Sequence, residues 1–161
     1  MDTLSKVRDM FYSGTHAFSG DAESVTEIAF LVDNGYLHVA TVQINSKVEY
    51  SEILQNVGAN PLYEAAAGGG PAHVALKILS GNYVRQKYSQ DVIFEHPFCG
   101  YYPDVLSEDR QIVVECGNTQ NPSKILDYFR QGRIRECIQI PYPDVEDTVI
   151  VWGTVSLHIL N

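Results

Sequence analysis

Residues 101–118 contain two apolar runs that are joined by four polar residues at positions 107–110. Apolar runs separated by a short polar turn predict a β-hairpin. Each predicted strand carries one acid, Asp104 in the first and Glu115 in the second. A carboxylate within an apolar strand needs a cation, a proton or a metal ion as its partner, because burying an unpaired charge is costly. Two such acids in one hairpin therefore predict a shared site.

The segments on either side of the hairpin alternate between predicted helices and strands. Pro71 favours a helix start, and the helix is expected to cover residues 72–88. Asn121 and Pro122 have the same effect for a helix over residues 122–131. The predicted core strands are the apolar segments 91–96, 101–106, 111–117 and 135–140. This alternation predicts an α/β fold with a central mixed sheet flanked by the two helices.

The hairpin motif resembles that of the PD-(D/E)xK nuclease superfamily. Pro103-Asp104 is followed, after ten residues, by Glu115 and Gly117 at the positions of the family's Glu and Lys. The order of helix, three strands, helix and strand over residues 71–143 is similar to that family's core. The resemblance implies a restriction-endonuclease-like core. The chain departs from the family's motif at one position, because Gly117 stands where the family has Lys.

The resemblance implies a divalent metal ion, Mg²⁺ or Mn²⁺, held by Asp104 and Glu115. Mg²⁺ accepts one or two carboxylates together with water and substrate oxygens, which fits this pair. Glu95 is a further candidate ligand or water-positioning group, and the alternative is an exposed acid at the end of a strand. A narrower similarity, to competence-type (CoiA-like) nuclease domains, is carried by a helical His-x-x-x-Lys pattern and these three acids.

Several cations could serve such a site. His73 and Lys77 lie four residues apart and share a helix face, from which they could approach phosphate. Lys77 and Lys124 are the candidates to replace the Lys that is absent at Gly117. The candidate substrate-binding residues are His73, Lys77 and Arg130. The alternative for His73 and Lys77 is an exposed polar stripe on the helix. The alternative for Lys124 is an ordinary surface lysine without a functional role.

The N-terminal part is interpreted as an extension. Asn34-Gly35 lies between apolar runs and predicts a β-hairpin over residues 27–44. A short helix over 50–58 and a flexible glycine-rich joint over 64–71 are also expected, which divides the chain into residues 1–70 and 71–161. A terminal strand is expected over residues 148–160.

The composition limits where the protein acts and what it binds. The chain has 161 residues, enough for one domain, and a net charge of −9 at pH 7. The acidity argues against a general nucleic-acid binder, but residues 1–70 hold nine acids and three bases. Residues 71–137 hold eight of each, so this part could present a locally basic surface. A set of solvated surface charges is the simpler interpretation of that balance.

The chain has no features of a membrane or secreted protein. No apolar run approaches the ~20 residues that a membrane helix requires, so no membrane partner is expected. The N-terminus lacks the basic and then apolar pattern of a signal peptide. The three cysteines are odd in number and fit no metal-ligand spacing, which favours reduced thiols in a cytoplasmic protein.

Three functions stay open from the sequence. The first is a metal-dependent phosphodiester hydrolase, an endo- or exonuclease that acts on DNA in preference to RNA. The second is a catalytically inactive nuclease-fold module that binds nucleic acid or protein, which Gly117 and the acidity favour. The third is an unrelated α/β domain in which Asp104 and Glu115 are surface acids. A homodimer is also open, because extra N-terminal strands could form a dimer surface.

Overall fold

The computed structural model describes residues 2–10, 22–46, 71–117, 121–141 and 150–159. These residues form four helices and one six-stranded mixed sheet. The helices are α1 (Thr3–Met10), α2 (Ala22–Asp33), α3 (Pro71–Tyr88) and α4 (Pro122–Arg130). The strands are β1 (Leu37–Ser46), β2 (Val92–Phe94), β3 (Val105–Ser107), β4 (Ile112–Cys116), β5 (Glu136–Ile140) and β6 (Ile150–Ile159).

The sheet has the strand order β1-β6-β5-β4-β3-β2. β2, β3 and β4 pair antiparallel in succession, and β4 then pairs parallel with β5. A parallel pair needs a crossover connection, which α4 supplies. β6 lies between β5 and β1 and is antiparallel to both. The predicted α/β class with a mixed sheet is confirmed, and the predicted terminal strand is β6.

The helices pack against the two faces of this sheet. α3 buries Val74 and Ile78 in one core cluster with Val114 of β4. α1, α2 and α4 contribute to a second cluster, which contains Ile125 and Val113. Val113 and Val114 thus point to opposite faces, as strand geometry requires. Burying one such aliphatic side chain contributes about 1.5–3 kcal/mol, so both helical layers stabilise the sheet that holds the acids.

The predicted hairpin over residues 27–44 is wrong in its first half, which is helix α2. Buried Val25, Ile28 and Ala29 are three and four residues apart, which is the period of a helix face. Asn34-Gly35 ends this helix instead of forming a hairpin turn. The N–H of Gly35 donates to Val32 O at 3.1 Å, and that of Tyr36 to Leu31 O at 2.9 Å. Gly35 has φ 77°, the left-handed conformation of a helix C-terminus.

The second half of that segment is a strand, but its partner is distant in sequence. β1 pairs with β6 over ten positions, from Leu37 with Ile159 to Ser46 with Ile150. The N-terminal part thus supplies an edge strand to the sheet of the core. The boundary at residue 70 stays a prediction, because residues 47–70 lie outside the described residues. They include the expected helix over 50–58 and all of the joint expected over 64–71 except Pro71, which begins α3.

The predicted strand over residues 101–106 begins later than expected, at Val105. The preceding residues form a tight turn in which Phe98 and Tyr101 exchange backbone hydrogen bonds of 2.8 and 2.9 Å. Cys99 and Gly100, with φ 54° and 80°, make this turn possible. Asp104 therefore occupies a bend just before β3. None of the described helices is long and apolar enough to cross a membrane.

Candidate functional site

Asp104 lies in the bend just before β3, Glu115 lies in the neighbouring antiparallel strand β4, and both are buried. Val105 is aligned with Val114 in the β3–β4 pair, so the next step of the register brings Asp104 opposite Glu115. Asp104 is 9% exposed and Glu115 is 6% exposed. They are therefore not the surface acids that an unrelated α/β domain would carry. Buried carboxylates need compensating partners, and both acids have them.

The partners of Asp104 come from β4 and from α3. Its Oδ2 accepts a 2.7 Å hydrogen bond from the backbone N–H of Cys116. Its Oδ1 lies 3.0 Å from Nε2 of His73 and 3.8 Å from Nζ of Lys77. Burial alone would raise the pKa of Asp104, but the hydrogen bonds of His73 and Cys116 and the charges of His73 and Lys77 lower it below its ordinary value. Asp104 is thus held as a carboxylate.

Lys77 links Asp104 to Glu95. The Lys77 side chain is completely buried, and its ammonium forms an ion pair with Glu95 at the end of β2. Glu95 keeps 41% of its side chain exposed and has φ 50°, an uncommon conformation for a residue other than glycine. Glu95 thus contacts Lys77, which also lies beside Asp104, and its role at the site stays a prediction. The predicted face shared by His73 and Lys77 points to the acids and is not an exposed stripe.

The partners of Glu115 come from α4. Tyr128 donates a 2.6 Å hydrogen bond to Oε1 of Glu115, and Nζ of Lys124 lies 3.0 Å from the same oxygen. Asn121 caps the helix and accepts from the backbone N–H groups of Ser123 and Lys124, which fixes the first turn. Lys124 therefore contacts a buried acid and is not an isolated surface lysine.

The surroundings of Glu115 favour a protonated carboxyl, whereas the surroundings of Asp104 favour an ionised one. Burial raises the pKa of Glu115, and the nearby charge of Asp104 raises it further. Lys124 and the hydrogen bond from Tyr128 oppose this, and the pKa reaches about 7. The two acids are therefore differently tuned, because α3 surrounds one with compensating charge while α4 compensates the other only in part.

Tyr128 is a site residue that the sequence analysis missed. It lies four residues after Lys124, on the same face of α4, and this spacing is the signal that could have found it. Arg130, in contrast, is not brought to the acids. It forms an ion pair with Glu27 of α2 and is about half exposed. A role for Arg130 in substrate binding stays a prediction.

The two buried carboxylates are the residues that could hold a metal ion. Mg²⁺ and Mn²⁺ prefer hard oxygen ligands, and Mg²⁺ commonly keeps several waters beside one or two carboxylates. Asp104 and Glu115 fit that requirement. Within the described ranges, no group of three or more His, Cys, Asp or Glu residues is arranged to hold a metal ion. Glu95 as a direct ligand or as a water-positioning group stays a prediction.

Comparisons of the chain with protein-family models, with curated proteins and with solved structures found no match.

Gly117 is expected to reject the lysine that the nuclease motif has at this position. Its φ is 117°, where a residue with a side chain is strained, and its N–H donates to Ile140 O at 2.8 Å. We expect Gly117→Lys to lower the free energy of unfolding by about 1–3 kcal/mol, as measured by urea denaturation. An unchanged free energy of unfolding would contradict this account of the missing lysine.

The raised pKa of Glu115 predicts that the metal-free protein loses stability as the pH rises. The folded state binds the Glu115 proton more tightly than the unfolded state does, so the stabilisation is complete below about pH 4.5 and lost as the pH passes 7. A shift from 4.5 to about 7 corresponds to a loss on the order of 3 kcal/mol. Urea denaturation in EDTA at a series of pH values would measure it.

The matched control for this prediction is Glu115→Gln, which keeps the shape but cannot titrate. The pH dependence of Glu115→Gln, subtracted from that of the wild type, isolates this one carboxyl from the histidines. Asp104 does not contribute in this window, since its lowered pKa places its own loss of stability at more acidic pH. Identical slopes between pH 4.5 and 7 for both proteins would refute the raised pKa.

Proposed function

We propose that the protein is a metal-dependent phosphodiester hydrolase that acts on nucleic acid, with DNA favoured over RNA. The observation that carries the proposal is the buried pair of Asp104, just before β3, and Glu115 of β4, with a lysine beside each carboxylate. The order α3, three antiparallel strands, α4 and a parallel strand supports the restriction-endonuclease-like core that the motif implies. Perturbed buried acids next to specific charge partners are typical of functional sites.

The proposed reaction is hydrolysis of a phosphodiester. The oxygen of a water molecule bonds to phosphorus, the bond to the leaving sugar oxygen breaks, and a proton released from the water ends on that oxygen by way of solvent. The products are a phosphomonoester and an alcohol. A bound Mg²⁺ or Mn²⁺ would supply Lewis-acid stabilisation of the phosphate charge. Asp104 and Glu115 would hold the ion.

Lys124 is the proposed replacement for the lysine that Gly117 lacks. Its side chain is 24% exposed, and its ammonium lies 3.0 Å from Oε1 of Glu115. Lys77 is completely buried and is already engaged by Glu95 and Asp104. A lysine that touches both solvent and the acid can meet a substrate, whereas Lys77 is suited to fixing Asp104 and Glu95. We therefore assign Lys124 to the attacking water and Lys77 to orientation of the acids.

The neighbourhood of the site also supports a polyanionic substrate. Lys124 lies 5.7 Å from the ring centre of Tyr101 and 5.9 Å from that of Tyr128, so its charge is flanked by aromatic faces. His73, whose side chain is 15% exposed, places its Nε2 3.0 Å from Oδ1 of Asp104. The free cysteines Cys99, Cys116 and Cys137 agree with the proposed cytoplasmic location. A homodimer stays a prediction.

The proposal is tested by incubating the protein with plasmid DNA, single-stranded DNA and RNA. Each substrate is given Mg²⁺, Mn²⁺ or EDTA, and Asp104→Asn serves as the inactive control made by the same purification. We expect cleavage with a divalent ion and none with EDTA. Activity of equal size in the control would point to a contaminating nuclease.

A catalytically inactive module is the second candidate function, and one observation favours it. Each acid already has a cationic partner, Lys77 for Asp104 and Lys124 for Glu115, so part of the carboxylate charge is balanced without a metal ion. A protein that binds DNA or RNA, but cleaves no substrate under any of these conditions, would be such a module.

A further inference from the structure

The buried amide of Gln139 is a polar group that the proposed site does not yet use. Gln139 lies in β5 and is only 3% exposed. Neither its amide nitrogen nor its amide oxygen has a hydrogen-bond partner in the part of the chain that the structure describes. Leaving a buried amide without partners is unfavourable, so the group is expected to gain them in another state of the protein.

Gln139 is the direct neighbour of Glu115 in the sheet. The parallel pairing of β4 and β5 aligns Glu115 with Gln139, and aligned side chains on strands about 4.8 Å apart project from the same face. Val113 and Cys137, aligned two residues earlier, both belong to the core cluster under α4. Gln139 therefore faces the α4 side together with Glu115. Since β4 lies between β3 and β5, Asp104 and Gln139 flank Glu115 from opposite sides.

We propose that Gln139 positions the attacking water in the Glu115 site, an inference that rests on the nuclease function proposed above. An amide has both donors and an acceptor, and both kinds are unpartnered here. A phosphodiester offers acceptors only, so a ligand that satisfies the whole amide must include a donor. Water supplies it: the amide oxygen accepts from the attacking water, and the amide NH₂ donates to a phosphate oxygen. The water then attacks phosphorus as in the hydrolysis above.

The described partners of Glu115 approach it from another element. Tyr128 and Lys124 of α4 both contact Oε1 of Glu115. A water held by Gln139 would approach Glu115 from the β5 side. A buried water needs two to four polar partners, and Gln139, Glu115 and the substrate phosphate provide that number.

The test substitutes Gln139→Met, which keeps the length of the side chain and removes both polar atoms. Because an unpartnered amide is lost, the urea midpoint of the metal-free protein is expected to rise. The Kd for Mn²⁺, measured by calorimetry, is expected to stay unchanged, since Gln139 is not a proposed ligand. The kcat for DNA cleavage is expected to fall about 10²-fold because the water is misplaced, and KM is expected to rise because one hydrogen bond to the substrate phosphate is lost.

Ser156→Ala is the matched control. Ser156 is 1% exposed, and its hydroxyl also has no partner among the described residues. It is aligned with Ile138, the residue before Gln139, so it faces the α3 side of the sheet. Ser156→Ala is expected to keep or raise the urea midpoint and to leave kcat unchanged.

The outcomes separate this inference from the function on which it rests. A wild type that cleaves with Mn²⁺, together with an unchanged kcat in Gln139→Met, overturns the role of Gln139 alone. A lower urea midpoint in Gln139→Met also overturns it, because the amide would then have partners within the folded protein. A wild type without EDTA-sensitive cleavage overturns both the proposed function and the role of Gln139.

Discussion

Asp104→Ala is expected to abolish Mn²⁺ binding and to reduce DNA cleavage to background. The substitution removes one of the two carboxylates that the ion requires. It also leaves the N–H of Cys116 without this acceptor and removes the negative charge 3.8 Å from the buried ammonium of Lys77. Losing the partner of a buried donor costs about 1–3 kcal/mol, so a lower free energy of unfolding is expected as well.

Asp104→Asn separates the loss of the ion from the loss of stability. Asn keeps an oxygen that can accept from the N–H of Cys116, but it removes the charge that the ion needs. We expect near wild-type circular dichroism for Asp104→Asn, with no heat of Mn²⁺ binding and no cleavage. Equal Mn²⁺ affinity in the wild type and in Asp104→Asn would refute the site.

Lys124→Ala is expected to lower cleavage by about 10²–10³-fold while keeping the Mn²⁺ affinity. A lysine is not a metal ligand, but its charge can orient the water and offset the charge that develops on phosphate. Lys124 also lowers the pKa of Glu115, so its removal favours protonated Glu115. Calorimetry and cleavage are therefore best measured at pH 8 or above, where Glu115 can ionise.

The matched control for Lys124→Ala is Lys87→Ala. Lys87 is exposed near the C-terminal end of α3, where it hydrogen-bonds to Tyr83 and not to the acids. Its removal deletes the same charge from the surface, and no change in cleavage is expected. Full activity of Lys124→Ala, with loss in Lys77→Met, would transfer the role of the missing lysine to Lys77. Equal losses in Lys87→Ala and Lys124→Ala would indicate that the net charge matters and not the position.

The parts of the fold that were predicted from the sequence depend on local signals. Pro71, Asn121 and Pro122 mark helix starts because their backbone geometry and capping act within one turn. The hairpin of β3 and β4 is predicted from two apolar runs and a polar turn, all within residues 101–117. These local signals predict that Asp104 and Glu115 lie in neighbouring segments of one hairpin.

The parts that were not predicted depend on contacts between distant residues. Asn34-Gly35 suits a hairpin turn and a helix C-terminus equally, because both require a positive φ. The helical spacing of Val25 and Ile28 indicates the observed helix better than Asn34-Gly35 does. The partner of β1 is β6, more than 100 residues later in the chain, and no local pattern specifies that pairing. A local pattern also cannot show which way the Arg130 side chain points. In the structure Arg130 faces α2, where it pairs with Glu27.

The most direct test of the central claim is a crystal structure of the protein soaked with Mn²⁺, with anomalous diffraction used to locate the ion. The account predicts one anomalous peak at about 2.0–2.4 Å from carboxylate oxygens of both Asp104 and Glu115. Lys124 is expected to move away from Oε1 of Glu115, because the metal ion replaces it as the cation beside that carboxylate. The site would be contradicted by Mn²⁺ bound elsewhere, or by a Glu115 that keeps Lys124 on its Oε1 at saturating Mn²⁺.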